Sequence, residues 1–260
     1  MGTFTFANWA GPAIPVHYYR PATVTATTPV LLVFHGTSRT AGSYRDAWVD
    51  AATAGHYIVL APEFSEQDFP ESLAYQEGHV LDAAGQLRPR EQWSFAAIEP
   101  LFDAVRTATG TQVSRYAMYG HSGGAQFVHR FLMLMPEARY SRAIAANAGW
   151  YTLPQMSRAY PVGLGATPVT RDDLAAALRK RLIILLGTED TDPNDPTLPT
   201  SSVAMEQGPN RLERGRYFFA RAQEAAADQS VSLVWRIEYV QGVGHDNRGM
   251  VAAAKDLVWN

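Results

Sequence analysis

The sequence predicts an α/β fold: a mainly parallel, twisted sheet of about eight strands, with helices on both faces and no large lid domain. Three observations carry that expectation. Short apolar runs alternate along the chain with segments of helical periodicity, the pattern of strand and helix units wound into one covered sheet. Two of those runs, Val30 to Phe34 and Leu182 to Leu186, are apolar at every position, as a strand buried on both faces requires. Between them, Arg115 to Gln126 reads RYAMYGHSGGAQ: an apolar strand, a glycine-rich turn and the start of a helix.

Composition sets the limits. At 260 residues with 47% hydrophobic and 18% charged residues, the chain suits one domain, expected over 1–260, with a sizeable core. A net charge of -3 makes no case for nucleic acid or an anionic membrane. The densest basic run, Arg179-Lys180-Arg181, closes a predicted helix, where the helix dipole favours cations. The absence of cysteine removes disulfides, thiolate metal sites and a cysteine nucleophile together. No stretch is apolar for 18 residues, so membrane insertion is not expected. The first residues lack a charged-then-apolar leader pattern, and Phe6 breaks the N-myristoylation pattern that Met1-Gly2 opens. Cytoplasmic and secreted locations both stay open, as does the oligomeric state.

Taken in order, Thr3 to Phe6 and Ile14 to Arg20 alternate apolar and polar residues around a Gly11-Pro12 break and predict a leading antiparallel pair. Val30 to Phe34 is the first buried strand and runs into His35-Gly36-Thr37-Ser38. Ser43 and Asp46 have capping-box spacing and Gly55 follows the last apolar position, predicting a helix over 44–54. Tyr57 to Ala61 is the next strand. Residues 62–94 lack sustained periodicity, and so long a connection is expected to hold part of a site or short hidden elements. Ile98, Leu101, Phe102 and Val105 form a helical stripe closed by Gly110, with Pro100 opening or kinking it. The central strand and its helix, continuing to Met135, come next. Arg142 to Ala148 is a strand, 149–170 a second irregular excursion, Asp172 to Arg179 a helix and Leu182 to Leu186 a strand. A helix from about Asn210 to Ala227, a strand over 233–240 and a closing helix at about 247–258 complete the chain, with no repeat and no linker.

The glycines around Ser122 have a steric reason. A serine on so tight a strand-to-helix turn holds a strained backbone, and its neighbours have no room for side chains. The helix that follows aims its first amides at the same spot, so an oxyanion forming near Ser122 meets the N–H of Gly123 and the positive end of a helix dipole. A serine nucleophile also needs a histidine base, and the histidine a carboxylate to hold its tautomer. Only His129 and His245 follow Ser122; the first lies two turns inside the predicted helix, the second in a glycine loop beyond the last strand. The carboxylates that follow the 182–186 strand are Glu189, Asp190, Asp192 and Asp195.

His35-Gly36, GHSGG, GTED and GVGHD, in this order and at these distances, resemble the α/β-hydrolase superfamily over nearly the whole chain. The resemblance implies the chain order nucleophile, acid, histidine, hence Ser122 and His245. It implies Asp190 as the acid, from the fourth position of a GxxD turn, with Asp192 in reserve. It implies an oxyanion hole from the amide of Gly123 and that of Thr37 or its neighbour Ser38, of the type without an HGGG run. HGTSRTAGSYRDAW, GHSGG and ANAGWY are further similar to bacterial serine esterases near polyester-depolymerase and feruloyl-esterase-like families. The implied activity is hydrolysis of a carboxylic ester through an acyl-enzyme, on short-chain, aromatic or polymeric esters, without a cofactor. A peptidase, an amidase or an acyltransferase using the same residues, or a non-catalytic binding protein of this fold, are the alternatives.

The aromatic residues of the two excursions are expected to receive the substrate: Trp150 with Tyr151 first, then Trp93 and Tyr75, in a fairly open cleft. Asp190, Asp192 and Asn194 fit the first ligand positions of a calcium loop. Asp195 stands where that loop needs glycine, Pro193 intrudes and Ser201 replaces the final glutamate, so no metal is expected.

Overall fold

The computed structural model describes residues 1–259. Among them eight strands form one sheet in the order β1-β2-β4-β3-β5-β6-β7-β8. These are β1 Gly2–Phe6, β2 Ile14–Tyr19, β3 Val30–Phe34, β4 Ile58–Pro62, β5 Tyr116–His121, β6 Tyr140–Ala146, β7 Leu182–Gly187 and β8 Arg236–Val240. β1 pairs antiparallel with β2, and β2 with β4; every other pairing is parallel. The register pairs Phe34 with Gly120, His121 with Ala146 and Gly187 with Val240. The carboxyl ends of β3, β5, β6, β7 and β8 are therefore flush, and the loops that follow share one edge. That edge is where open α/β sheets place their ligands.

The helices are α1 Ala41–Ala47, α2 Val49–Gly55, α3 Glu71–Ala74, α4 Ile98–Thr109, α5 Gly123–Leu134, α6 Arg171–Leu178, α7 Ser202–Met205, α8 Arg211–Asp228 and α9 Asn247–Leu257. Alternation along β3 divides the core between them. Val30, Leu32 and Phe34 join Leu101, Phe127, Leu174 and Phe218, from α4, α5, α6 and α8. Leu31 and Val33 join Ala41, Ala52, Met250 and Ala254, from α1, α2 and α9 on the other face. Phe34 and Phe127 stack at 4.5 Å between centroids, and burying each such ring contributes about 1.5–3 kcal/mol.

Local chemistry accounts for the boundaries. Pro100 lies in the first turn of α4, where its missing N–H has no intrahelical partner to lose. Asn210 caps α8 by accepting from Glu213 N at 2.9 Å, and Asp246 caps α9 by accepting from Gly249 N at 2.7 Å. The helix expected over 44–54 is two helices, α1 and α2, broken at Trp48 (φ -100, ψ -7), and Ser43 lies inside α1 rather than capping it. Burial of the indole outweighs helix continuity there: Trp48 is wholly buried, edge-on to Tyr119 at 5.0 Å. The last strand is shorter than its hydrophobic run and begins at Arg236, because Trp235 turns inward to donate to Ala177 O.

Candidate active site

The turn after β5 holds Ser122 at φ 57, ψ -117, a conformation an L residue keeps only where its surroundings enforce it. Two close approaches do so. A Cβ on Gly120 would stand 2.2 Å from Gly124 O, and one on Gly124 would stand 2.0 Å from Phe34 O. α5 is thus pressed against β3 and β5 by two residues that only glycine can be, and Ser122 is left at the apex.

Ser122 Oγ lies 3.0 Å from His245 Nε2, and His245 Nδ1 lies 2.7 Å from Asp190 Oδ2. An imidazole between a hydroxyl and a carboxylate can take the hydroxyl proton while the carboxylate keeps its other nitrogen protonated. Asp190 is 4% exposed; its Oδ1 accepts from Arg211 Nη1 at 3.3 Å. Arg211 Nη1 also lies 3.2 Å from Asp195 Oδ2, and its Nη2 donates to Thr197 Oγ1 at 2.7 Å. Burial pushes the Asp195 carboxyl up, but hydrogen bonds from Arg211 and Thr197 outweigh it and hold it well below the usual range. Asp192 is exposed and accepts from Asn194 N, capping a turn away from His245.

The loops carrying these groups are tied by Asn147, a buried residue in the left-handed region (φ 49) just past β6. Its Oδ1 accepts from Gly187 N at 2.9 Å, and its Nδ2 donates to Gly244 O at 3.1 Å. One amide thus fixes the approach of the Asp190 loop to the His245 loop. Sequence reasoning missed Asn147 and Arg211. The only signal was an amide at a strand's carboxyl end and an arginine at the start of a helix.

His121 packs beneath His245, rings 4.6 Å apart, with Nδ1 3.1 Å from Tyr44 Oη. Burial, then the charges of His245 and Arg211, hold it well below the usual imidazole range, so it is neutral.

Thr37 lies on the loop after β3, and its N–H donates to no acceptor among the described residues. Gly123 N heads the first turn of α5, where intrahelical partners are missing. A Cβ on Gly123 would stand 3.2 Å from Thr37 N, so the two amides border one space. His35 anchors this loop: its Nε2 accepts from Phe64 N at 3.1 Å while Nδ1 donates to Gly36 O at 2.9 Å. Burial lowers the His35 pKa to about 3.

The aromatic residues lie elsewhere than expected. Tyr75 is wholly buried behind the Thr37 loop, its hydroxyl donating to His35 O at 2.7 Å and its ring under the Arg39 guanidinium at 4.6 Å. Trp93 is wholly buried and donates to Arg88 O. Tyr151 is wholly buried too, stacked on Phe218 at 4.5 Å and bracketed by Gln207. None of the three offers a face to a substrate, because both excursions fold back and use their rings as core. Trp150 keeps 8% exposure, over the guanidinium of Arg130 at 4.7 Å. A cavity of about 890 Å³, lined by Phe4, Tyr18, Ile58, Leu60 and Val105, lies at the opposite end of the sheet.

No family model and no curated relative matches the chain. Solved structures do. Poly(aspartic acid) hydrolase-1 from Sphingomonas sp. KT-1 is 52% identical, with 100% of this chain and 98% of that chain covered and a TM-score of 0.98. LpqC, a poly(3-hydroxybutyrate) depolymerase from Bordetella parapertussis, is 34% identical over 96% of this chain and 85% of that one, with a TM-score of 0.91. The fluorophosphonate-binding serine hydrolase FphF from Staphylococcus aureus shares the fold at 14% identity, with 98% and 95% covered and a TM-score of 0.63.

Proposed function

Since the chain belongs to the α/β-hydrolase family of serine hydrolases, we propose that it cleaves carboxylic esters through an acyl-enzyme formed on Ser122. The observation that supports this is the relay from Asp190 Oδ2 to His245 Nδ1 at 2.7 Å and from His245 Nε2 to Ser122 Oγ at 3.0 Å. Ser122 Oγ attacks the carbonyl carbon as His245 Nε2 takes its proton. The imidazolium is stabilised by Asp190, and the oxyanion accepts from the amides of Gly123 and Thr37. His245 then protonates the leaving alcohol. Water, deprotonated by the same nitrogen, attacks the acyl-enzyme, and collapse returns the serine proton.

A second reading has its own support. The relative at 52% identity is described as a poly(aspartic acid) hydrolase, so the same residues would cut the amide bonds of an acidic polymer, with an amine in place of the alcohol. A polymeric substrate is common to both readings, since the relative at 34% is described as a polyester depolymerase.

The test is hydrolysis of p-nitrophenyl esters from acetate to palmitate, beside amine release from poly(aspartic acid), with Ser122→Ala in parallel. Ester turnover lost in the variant supports the ester reading. Amine release with negligible ester turnover moves the assignment to amides. Activity retained by Ser122→Ala on either substrate rejects the nucleophile.

A further inference from the structure

The mechanism above uses two donors for the oxyanion. Beside them lies a third polar group that nothing in the fold employs. Gln76, in the turn after α3, is 6% exposed, and its side-chain amide makes no hydrogen bond among the described residues. The terminal amide is not sealed off, since neither of its polar atoms is among the fully enclosed unpartnered ones, so it stays open to a ligand. Its position says which one. A Cβ on Gly123 would stand 3.0 Å from Gln76 Nε2 and 3.2 Å from Thr37 N. The space left by the missing side chain of Gly123 is thus bounded by the Gln76 amide on one side and the Thr37 amide on the other. A substrate oxygen held just outward of that point would be within reach of both.

Resting on the acyl-enzyme reading, we propose that Gln76 is a catalytic residue, its Nε2 the third donor to the substrate oxygen as that oxygen gains charge. The support around it suits a pre-aimed donor. The Gln76 carbonyl accepts from Arg130 Nη1 at 3.1 Å, and Arg130 is itself buried and held by Gln126 Oε1 and Thr152 Oγ1. Tyr75 is fixed to His35 O, and Glu77 N donates to Ser72 O at 2.9 Å. The backbone on both sides of Gln76 is therefore held, which fixes the point from which its side chain enters the space. Nε2 rather than Oε1 faces the space. Reversed, the oxygen would accept from the hole's own amides and block it.

The experiment is Gln76→Met, which keeps the length of the side chain and removes the donor, assayed on p-nitrophenyl acetate with fluorophosphonate titration of Ser122. The expected result is a fall in kcat of about 100-fold, the cost of one oxyanion-hole donor. KM should stay within about twofold, and titration should remain stoichiometric but slower. Affinity for a trifluoromethyl ketone, which forms the charged adduct, should fall in step with kcat/KM, which a merely structural role would not produce. An unchanged kcat, a rise in KM alone or an increase in kcat would each overturn the proposal. Should Gln76→Met fail to fold, Gln76→Asn withdraws the amide by one methylene, with the same loss expected and the same results overturning it. A wild type that neither titrates nor turns over would instead sink the acyl-enzyme reading itself, and this inference with it.

Discussion

Replacing Asp190 with asparagine keeps the size of the side chain and removes its symmetry. In the wild-type chain Oδ2 serves His245 Nδ1 at 2.7 Å while Oδ1 serves Arg211 Nη1 at 3.3 Å. Asparagine has one oxygen for these two donors. A guanidinium has only donors and stays charged, so Arg211 keeps the oxygen. The amide NH2 is then left facing His245. Nδ1 must become an acceptor, the ring proton moves to Nε2, and Nε2 can no longer take the proton of Ser122. The imidazolium also loses its counter-charge. In a Ser-His-Asp arrangement this substitution costs about 10⁴ in kcat, or about 5.5 kcal/mol of barrier. The assay is kcat on a p-nitrophenyl ester, with Asp192→Asn alongside; among the described residues Asp192 accepts only from Asn194 N, so its variant should stay within about twofold, as surface changes usually do. A folded Asp190→Asn keeping more than roughly a tenth of wild-type kcat would refute the tautomer argument. A larger loss in Asp192→Asn would move the acid by two positions.

Two further outcomes follow from the same groups. His35, His121 and His129 are buried and neutral, their pKa values lowered chiefly by burial, to about 3 for His35. The unfolded chain takes up protons that the native chain refuses, so stability is full above the unfolded value of about 6.5 and is lost progressively as pH falls from there. At pH 5 the loss is about 2 kcal/mol for each histidine still neutral in the fold. Urea midpoints followed by tryptophan fluorescence should therefore drop steeply between pH 7 and 5, and a flat profile would mean that these rings are protonated in the native state. Asn147→Ala strands the buried Gly187 N–H and weakens the tie to Gly244, at about 1–3 kcal/mol for a stranded buried group. A lower Tm with slower but still stoichiometric labelling of Ser122 is expected; an unchanged kcat would show that the His245 loop needs no tie from β6.

What was legible in the sequence was what depends on local pattern. Continuous apolar runs marked β3 and β7, the glycines of GHSGG marked a strand-to-helix apex, and motif order placed Ser122, Asp190 and His245 beyond strand ends. What was illegible depends on contacts between distant segments. An aromatic residue in an irregular stretch reads alike whether it lines a cleft or fills a core; Trp93 and Tyr151 fill the core because the excursions fold back over α5 and α8. Asn147, Arg211 and Gln76 carry no local signature, since each matters only through partners brought in by the sheet. The break at Trp48 was hidden likewise, because helical spacing persists through it and only the buried indole demands the turn.

The guanidinium of Arg211 joins two separate segments of the chain. On one side it holds Asp190; on the other it holds Asp195 and Thr197, at the root of the stretch whose Pro199 packs on Gly149 beside Trp150. A bulky substrate pressing on that stretch would pull on the same strut that aligns the acid. One side chain thus ties the carboxylate behind His245 to the loop that packs beside Trp150, so a change in that loop's position would be felt first at Asp190 rather than at Ser122.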